Sequence, residues 1–252
     1  MKVFITGASD GIGKELAKQL AADGHQVWGI ARRRELLEKL QSDIGAEKFY
    51  FSVCDVGNEA ESQLILKKMK EKGFLPDAVI LNAAAFLSDA DPQYDHSLLV
   101  RAFRVNVFGA LFWVGAFLPD FLKRGSGKFI AVSSVAAFRP NPKSISLSAS
   151  KSALSMTFRS LRLRYAVSPV SFQTVYLGPV ATAIAPEWQS TSGSPRYPFV
   201  MAAAEAAAAV KKAVLRSRAD YWVPFFTTLA FRLALFLPDK FFVLASRYFK
   251  KK

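Results

Sequence analysis

The stretch Val3-Phe4-Ile5-Thr6-Gly7-Ala8-Ser9-Asp10-Gly11-Ile12-Gly13 decides the fold of this chain. It begins as a short apolar run with β-branched residues, which predicts a buried strand. Three glycines follow, and residues 14–20 then have the apolar spacing of a helix. Glycines let the backbone approach a ligand closely, and the free N–H groups at the start of the helix favour an anion. The stretch therefore predicts the phosphate-binding corner of a dinucleotide-binding fold, although its Gly-x-x-x-Gly-x-Gly spacing differs from the Gly-x-Gly-x-x-Gly fingerprint.

The composition is that of a folded protein in a reducing environment. Of the 252 residues, 51% are hydrophobic and 21% are charged, enough to bury the core of one large α/β domain or two small ones. The single cysteine, Cys54, excludes an internal disulfide and indicates a reducing compartment such as the cytoplasm. Met1 is followed almost at once by the first predicted strand, so we expect no secretory signal. No metal site is predicted.

Strands alternate with helices along most of the chain. Apolar runs predict further strands at 26–31, 49–53, 78–81, 128–132, 170–176 and 221–223, and helical spacing predicts helices at 35–44, 59–72, 98–122, 147–165 and 201–215. This order predicts an α/β fold with a Rossmann-type, doubly wound and mostly parallel sheet covered on both faces. We therefore expect one domain over residues 1–223 and an amphipathic helical extension over residues 224–252.

Six residues fall at the carboxyl ends of the predicted strands. They are Gly7, Ala31, Asp55, Asn82, Ser134 and Leu177. Because ligands of such sheets lie beyond the carboxyl ends of the strands, this convergence predicts a ligand site at that edge.

Several motifs at these positions resemble the short-chain dehydrogenase/reductase family over about residues 1–215. The family's Thr-Gly-x-x-x-Gly-x-Gly turn matches residues 6–13, its acidic adenine contact matches Asp55, and its Asn-Asn-Ala-Gly strand end is half kept as Asn82-Ala83. Its structural asparagine matches Asn106, its active-site serine Ser134, and the lysine of its Tyr-x-x-x-Lys motif Lys151. Its Pro-Gly-x-Val-x-Thr segment reads Leu177-Gly178-Pro179-Val180-Ala181-Thr182, with the first proline lost.

The resemblance implies a nicotinamide dinucleotide cofactor and a catalytic group formed by Asn106, Ser134, Lys151 and the residue at position 147. The residues that we expect to bind the cofactor are Gly7, Ser9, Asp10, Gly11, Ile12, Gly13, Arg32, Arg33, Asp55, Val56, Asn82, Ala83, Lys151, Gly178, Val180 and Thr182.

Position 147 departs from the family, because Leu147 stands where the family has its catalytic tyrosine. In the family this phenol protonates the substrate oxygen, and a positioned general acid is worth roughly 10²–10⁴ in rate. Lys151, four residues later, still lies on the same helix face. Three interpretations stay open: another proton donor, such as a water on Lys151 or the Ser148 hydroxyl; an engineered change; or cofactor binding without redox turnover.

The end of the second predicted strand indicates the cofactor. An acid at this point usually selects NAD, whereas an arginine accommodates the 2′-phosphate of NADP. Here the chain reads Ala31-Arg32-Arg33, with no acid before Glu35. Since guanidinium groups match phosphate geometry, we expect NADP(H), held by Arg32 with Ser9 or Arg33 helping. The alternative is an arginine cluster that merely begins a solvated helix.

The C-terminal extension is basic and rich in phenylalanine. Residues 211–252 contain ten Lys or Arg against two Asp, which is +8 of the net charge of +14, and seven of the 22 phenylalanines. The apolar run before Pro238 is too short to span a bilayer, which takes ~20 residues. Residues 225–252 therefore predict helices lying in a membrane interface, and the alternative is a substrate lid or dimer contact. The basic residues lack a nucleic-acid-binding motif, so no nucleic acid is expected.

The family resemblance implies an oxidoreductase acting on a carbonyl or alcohol group. With the arginines and the tail, it leads us to expect NADP(H) as the cofactor and an apolar, lipid-like substrate. The protein is expected in the cytoplasm, as a homo-oligomer in peripheral contact with a membrane. The competing interpretation is a non-redox cofactor-binding or scaffold protein at a membrane surface.

Overall fold

A seven-stranded parallel sheet forms the centre of the computed structural model, which describes residues 1–87, 93–142, 144–183, 200–238 and 240. In chain order the strands are β1 (Lys2–Thr6), β2 (Gln26–Ala31), β3 (Phe49–Val53), β4 (Ala78–Leu81), β5 (Gly127–Ser134), β6 (Val170–Leu177), β7 (Val180–Ala181), β8 (Met201–Ala202) and β9 (Asp220–Val223). The main sheet has the order β3-β2-β1-β4-β5-β6-β9, with every neighbouring pair parallel. β7 and β8 pair separately.

Helices connect these strands and cover both faces of the sheet. They are α1 (Gly11–Ala22), α2 (Arg34–Ile44), α3 (Glu59–Glu71), α4 (His96–Phe103), α5 (Ala110–Arg124), α6 (Ile145–Arg164), α7 (Ala203–Leu215) and α8 (Phe225–Leu233). A π-helical turn, Arg104–Gly109, joins α4 to α5, and 3₁₀ turns at Val135–Ala137 and Ala234–Phe236 follow β5 and α8.

Strand β1 contributes side chains to two separate hydrophobic cores, because its side chains alternate between the two faces of the sheet. Val3 and Ile5 are buried with α1, α2 and α7 on one face. Phe4 is buried on the other face, where it contacts the aromatic rings of Trp113 and Phe117 on α5. Each such fully buried side chain stabilises the fold by roughly 1.5–3 kcal/mol. Burial on both faces explains why β1 reads as a continuous apolar run.

The predicted fold class and central strands are confirmed. The predicted helix 98–122 extends over His96–Arg124 and contains the π-helical turn, which the sequence did not predict. Gly109, the last residue of this turn, packs against the loop that follows β3. A Cβ on Gly109 would lie only 2.4 Å from the carbonyl oxygen of Val56 in that loop. Of the second predicted tail segment, 240–249, all but Lys240 lies outside the described residues.

One helix among the described residues, His96–Arg124, is long and apolar enough to cross a membrane. Its Trp113, Phe117 and Phe121 are fully buried in the core, where Phe121 contacts Phe129 of β5. Packing against the sheet therefore accounts for its apolar composition.

Candidate active site

A cleft of about 1440 Å³ lies beyond the carboxyl ends of the parallel strands. It is lined by the residues that end or follow the central strands, namely Gly7, Ala31, Asp55, Asn82, Ser134 and Leu177. The structure thus brings together the residues that the sequence places at this edge of the sheet.

The glycine turn forms one wall of the cleft. Gly7 and Gly11 have left-handed backbones, with φ of +72° and +52°, which favour glycine. A Cβ on Gly7 would lie 2.9 Å from the Cα of Ala83, and one on Gly13 would lie 2.1 Å from the carbonyl oxygen of Gly7. Gly7 and Gly11 line the cleft, whereas Gly13 packs behind the turn. The turn therefore needs all three glycines, two of them in the cleft wall and one for packing.

Thr6 and Asn82 clamp this turn to the end of β4. The Thr6 hydroxyl oxygen accepts hydrogen bonds from the backbone N–H groups of Asn82 and Ala83, both at 3.0 Å. In return, the side-chain amide of Asn82 donates to the carbonyl oxygens of Thr6 and Gly7, both at 3.1 Å. Asn82, which also lines the cleft, is thus a positioning residue for the turn. The sequence pattern predicts no role for Thr6.

Two guanidinium groups stand at the end of β2. Arg33 pairs with Asp10 at 3.1 Å and donates to the Ser9 hydroxyl at 3.4 Å, so it is tied to the glycine turn. Arg32 lies 4.0 Å from the Asp55 carboxylate and is 75% exposed, an ion pair that contributes little. Both arginines line the cleft and give this end a positive charge.

Lys151 is buried at the opposite end of the cleft. It lies on α6, where its ammonium group donates to the carbonyl oxygen of Val132 at 2.8 Å. Burial lowers the pKa of Lys151 from 10.5 to about 8, because desolvation disfavours the charged form. Leu147 lies one turn earlier on α6 and also lines the cleft. Ser134 lines it too, and its hydroxyl accepts from the backbone N–H of Ala136 at 3.2 Å.

No tyrosine is among the described residues that line the cleft. Tyr176 of β6 is buried against Phe138 and does not line it. Burial raises the pKa of Tyr176, which makes it a poorer acid than an ordinary phenol. Ser148 lines the cleft, but its hydroxyl oxygen is buried without a hydrogen-bond partner in the described part of the chain. Lys151 is therefore the titratable group at this end that is best suited to move a proton near neutral pH.

Asn106 lies behind the cleft rather than in its wall. It sits in the π-helical turn, where its side-chain oxygen accepts from the backbone N–H of Ala85 at 2.7 Å. Its amide nitrogen donates to the carbonyl oxygen of Ala85 at 3.1 Å and to the Ser150 hydroxyl at 2.9 Å. Asn106 thus ties the segment after β4 to α6, and it holds the wall of the site in place.

The Lys151 end opens onto an apolar wall. The side chains in this part of the lining include Phe86, Phe138, Ile145, Leu147, Phe231 and Leu235. Phe231 and Leu235, which come from α8 and its 3₁₀ turn, are not among the predicted site residues, although the substrate-lid alternative for residues 225–252 would bring this segment to the site. A spacing of four residues places two side chains on one face of a helix, but it does not predict that this face lies against the cleft.

Most of the predicted site residues line the cleft. Those that line the cleft are Gly7, Ser9, Asp10, Gly11, Ile12, Arg32, Arg33, Asp55, Val56, Asn82, Ala83, Ser134, Leu147, Lys151, Gly178, Val180 and Thr182. Gly13 and Asn106 are the two predicted residues outside the lining.

Comparison with known proteins agrees with the fold described above. Residues 1–193 match the family model for short chain dehydrogenases. An uncharacterized oxidoreductase of Listeria monocytogenes is 32% identical over 181 residues, which cover 71% of this chain and 73% of the relative. An uncharacterized oxidoreductase of Myxococcus xanthus is 29% identical over 248 residues, covering 97% and 95%.

Among solved structures, a short-chain dehydrogenase from Sphingobium yanoikuyae in complex with NADPH superposes with a TM-score of 0.77. At 22% identity, covering 98% of this chain and 93% of that one, the likeness shows a shared fold. The family match spans the glycine turn, the strand ends and the first turns of α6. With the oxidoreductase relatives, it shows that the chain belongs to the short-chain dehydrogenase/reductase family.

Proposed function

We propose that this protein is an NADP(H)-dependent oxidoreductase that interconverts a carbonyl and an alcohol group on an apolar substrate. One observation carries the proposal: a single cleft joins the glycine turn and two arginines at one end to Lys151, Ser134 and an apolar wall at the other. The NADPH complex of the Sphingobium yanoikuyae structure supports the choice of cofactor.

The residues of the cleft fit a dinucleotide. Gly7 and Gly11 carry no Cβ, so the backbone of the turn lies open to a diphosphate at the start of α1. Arg32 and Arg33 present guanidinium groups that suit a 2′-phosphate better than the ribose hydroxyls alone. A bound nicotinamide would supply or accept the hydride.

Lys151 takes over proton transfer in this proposal, because Leu147 can neither donate nor accept a proton. With a pKa near 8, the ammonium group carries its proton at neutral pH yet holds it less tightly than an ordinary lysine. In carbonyl reduction, Nζ gives this proton to the substrate oxygen, directly or through one water, and regains it from solvent. The Ser134 hydroxyl orients the same oxygen.

The position of Leu147 favours a second candidate function, a cofactor-binding protein without redox turnover. A hydrocarbon side chain one turn before Lys151 cannot transfer a proton. The glycine turn and the two arginines, which would bind the cofactor, are nevertheless present in the cleft wall. Lys151 would then serve only to bind the ribose hydroxyls.

Turnover with a panel of apolar ketones, aldehydes and alcohols distinguishes the two candidates. The oxidoreductase consumes NADPH with at least one carbonyl compound, or reduces NADP⁺ with the matching alcohol, and Lys151→Met loses this activity. Tight NADPH binding without turnover across the whole panel would support the binding protein instead.

A further inference from the structure

The end of the described chain exposes a group of large apolar side chains, which we call the apolar rim. It consists of Phe225, Phe226, Leu233, Leu235, Phe236 and Leu237, on α8 and the 3₁₀ turn that follows. Phe226 and Phe236 are 83% and 84% exposed. Single exposed apolar residues are common on protein surfaces. Six within 13 residues form an exposed apolar patch, and such patches mark interaction sites.

α8 exposes one apolar face to solvent while part of its remaining apolar surface packs toward the cleft. Phe226, Ala230 and Leu233 follow the spacing of one helix face, and all three are exposed. Thr228, a polar residue, is fully buried, and its hydroxyl donates to the carbonyl oxygen of Pro224 at 2.9 Å. The helix therefore turns an apolar side outward, which costs solubility unless that side is covered.

The apolar rim borders the cleft. Phe231 and Leu235 line the cleft from the same helix and turn that carry Phe226 and Phe236 outward. Whatever covers the rim therefore also lies beside the apolar end of the site.

Arginine and tryptophan side chains accompany the rim. The Arg232 guanidinium lies 4.4 Å from the ring centroid of Trp222, and Trp222 stacks on Phe225 at 5.9 Å. Aromatic rings with a cation beside them are typical of segments that sit at the boundary between lipid and water.

The charge of this region distinguishes a bilayer from a second copy of the chain. Residues 224–252, the segment that contains the rim, carry six Lys or Arg against one Asp. Two copies that met through this surface would bring like charges together, whereas an anionic surface would attract them.

We propose that the apolar rim docks on an anionic lipid bilayer and holds the apolar end of the cleft against it. Phe226, Leu233 and Phe236 enter the headgroup region while Arg232 and Lys240, the described basic residues of this segment, contact anionic headgroups, so the two forces act together. Delivery of an apolar substrate from the bilayer follows, and only this last step rests on the proposed function.

Vesicle flotation of the full chain tests the docking. We expect binding to phosphatidylcholine vesicles that contain phosphatidylserine, weaker binding to phosphatidylcholine alone, and a decrease with added salt. Phe226→Ser combined with Phe236→Ser removes two exposed rings and lowers the partition coefficient by at least about tenfold.

Matched leucines provide the control. Leu233→Ser lowers binding about threefold or more, whereas Leu163→Ser, on α6 and 78% exposed, leaves it unchanged. Circular dichroism of each variant shows that the fold is intact without reference to a cofactor. A separate NADPH titration of the wild type tests the proposed function, so that its failure is distinguishable from failure of docking.

Three results would overturn the proposal. The first is a wild-type chain that stays off the anionic vesicles. The second is binding that Phe226→Ser with Phe236→Ser leaves unchanged. The third is that the wild type does not bind vesicles and is an oligomer in light scattering, whereas the same double variant is a monomer. The rim would then be an interface between copies of the chain.

Discussion

Replacing Gly13 by alanine should damage the glycine turn by an amount that the structure allows us to estimate. The added Cβ would lie 2.1 Å from the carbonyl oxygen of Gly7 and 2.7 Å from the Asn82 amide nitrogen, whereas ordinary contacts begin at 3.4 Å. The Gly7 carbonyl must therefore retreat by about 1 Å, and this carbonyl accepts a hydrogen bond from Asn82. Overpacking of this kind costs roughly 1–3 kcal/mol, and the lost hydrogen bond about 1 kcal/mol more.

Gly13→Ala should thus lower the free energy of unfolding by about 2–4 kcal/mol and the Tm by roughly 5–15 °C. NADPH affinity should fall as well, because the displaced carbonyl belongs to Gly7 in the cleft wall. Thermal unfolding followed by circular dichroism, together with fluorescence titration, measures both effects.

Gly115→Ala is the matched control for this prediction. Gly115 is exposed on α5, and a Cβ there would meet nothing within 4 Å. Alanine should stabilise the helix by up to about 1 kcal/mol without changing NADPH affinity. If Gly13→Ala were as stable as the wild type and bound NADPH equally well, the assigned geometry of the turn would be wrong.

Three further predictions concern the clamp and the Lys151 end. Leu147→Tyr places a phenol one turn before Lys151, so kcat on an accepted carbonyl substrate should rise, by at most roughly 10²–10⁴; an unchanged kcat would show that the lack of a phenol at position 147 does not limit turnover. Thr6→Val removes the acceptor for two backbone N–H groups and should cost about 1–3 kcal/mol in urea denaturation, whereas Thr6→Ser should cost less than half of that. Burial lowers the pKa of Lys151 to about 8 from 10.5, so the folded state loses its proton at a pH where the unfolded chain keeps it. The free energy of unfolding should therefore rise with pH from this group, by about 1 kcal/mol between about pH 7.5 and 9, and urea denaturation of Lys151→Met should lack this rise.

The glycine turn and the strand ends could be predicted because their signals are local. A buried strand, a turn that requires glycine and the start of a helix each leave a pattern within a few residues of Gly7 and Gly13. The position of Lys151 relative to Leu147 follows from helix geometry in the same way. Together, these local patterns predict the edge of the sheet at which the site lies.

The remaining features depend on contacts between distant parts of the chain. The Thr6 hydroxyl meets Asn82 and Ala83 across two neighbouring strands, and Asn106 meets Ala85 and Ser150. No spacing in the sequence encodes these partners, since they depend on how β1, β4 and α6 pack.

The same reason explains what the sequence missed at the arginines and in the tail. The sequence favours Arg32 for the phosphate, but no local pattern shows that Arg33 pairs with Asp10 and donates to Ser9. Nor could it show that Phe231 faces the cleft while Phe226 faces outward, because either side of α8 could have packed inward.

A fluorescence titration of the full chain with NADPH, and with NADH in parallel, tests the central claim most directly because it needs no choice of substrate. If the cleft is an NADP(H) site, NADPH should bind, and at least about tenfold more tightly than NADH, since a charged hydrogen bond to a guanidinium contributes about 1.5–3 kcal/mol. Arg32→Ser or Arg33→Ser should narrow this difference mainly by weakening NADPH. Binding of neither cofactor would contradict the oxidoreductase account, and tighter binding of NADH would contradict the role given to the two arginines.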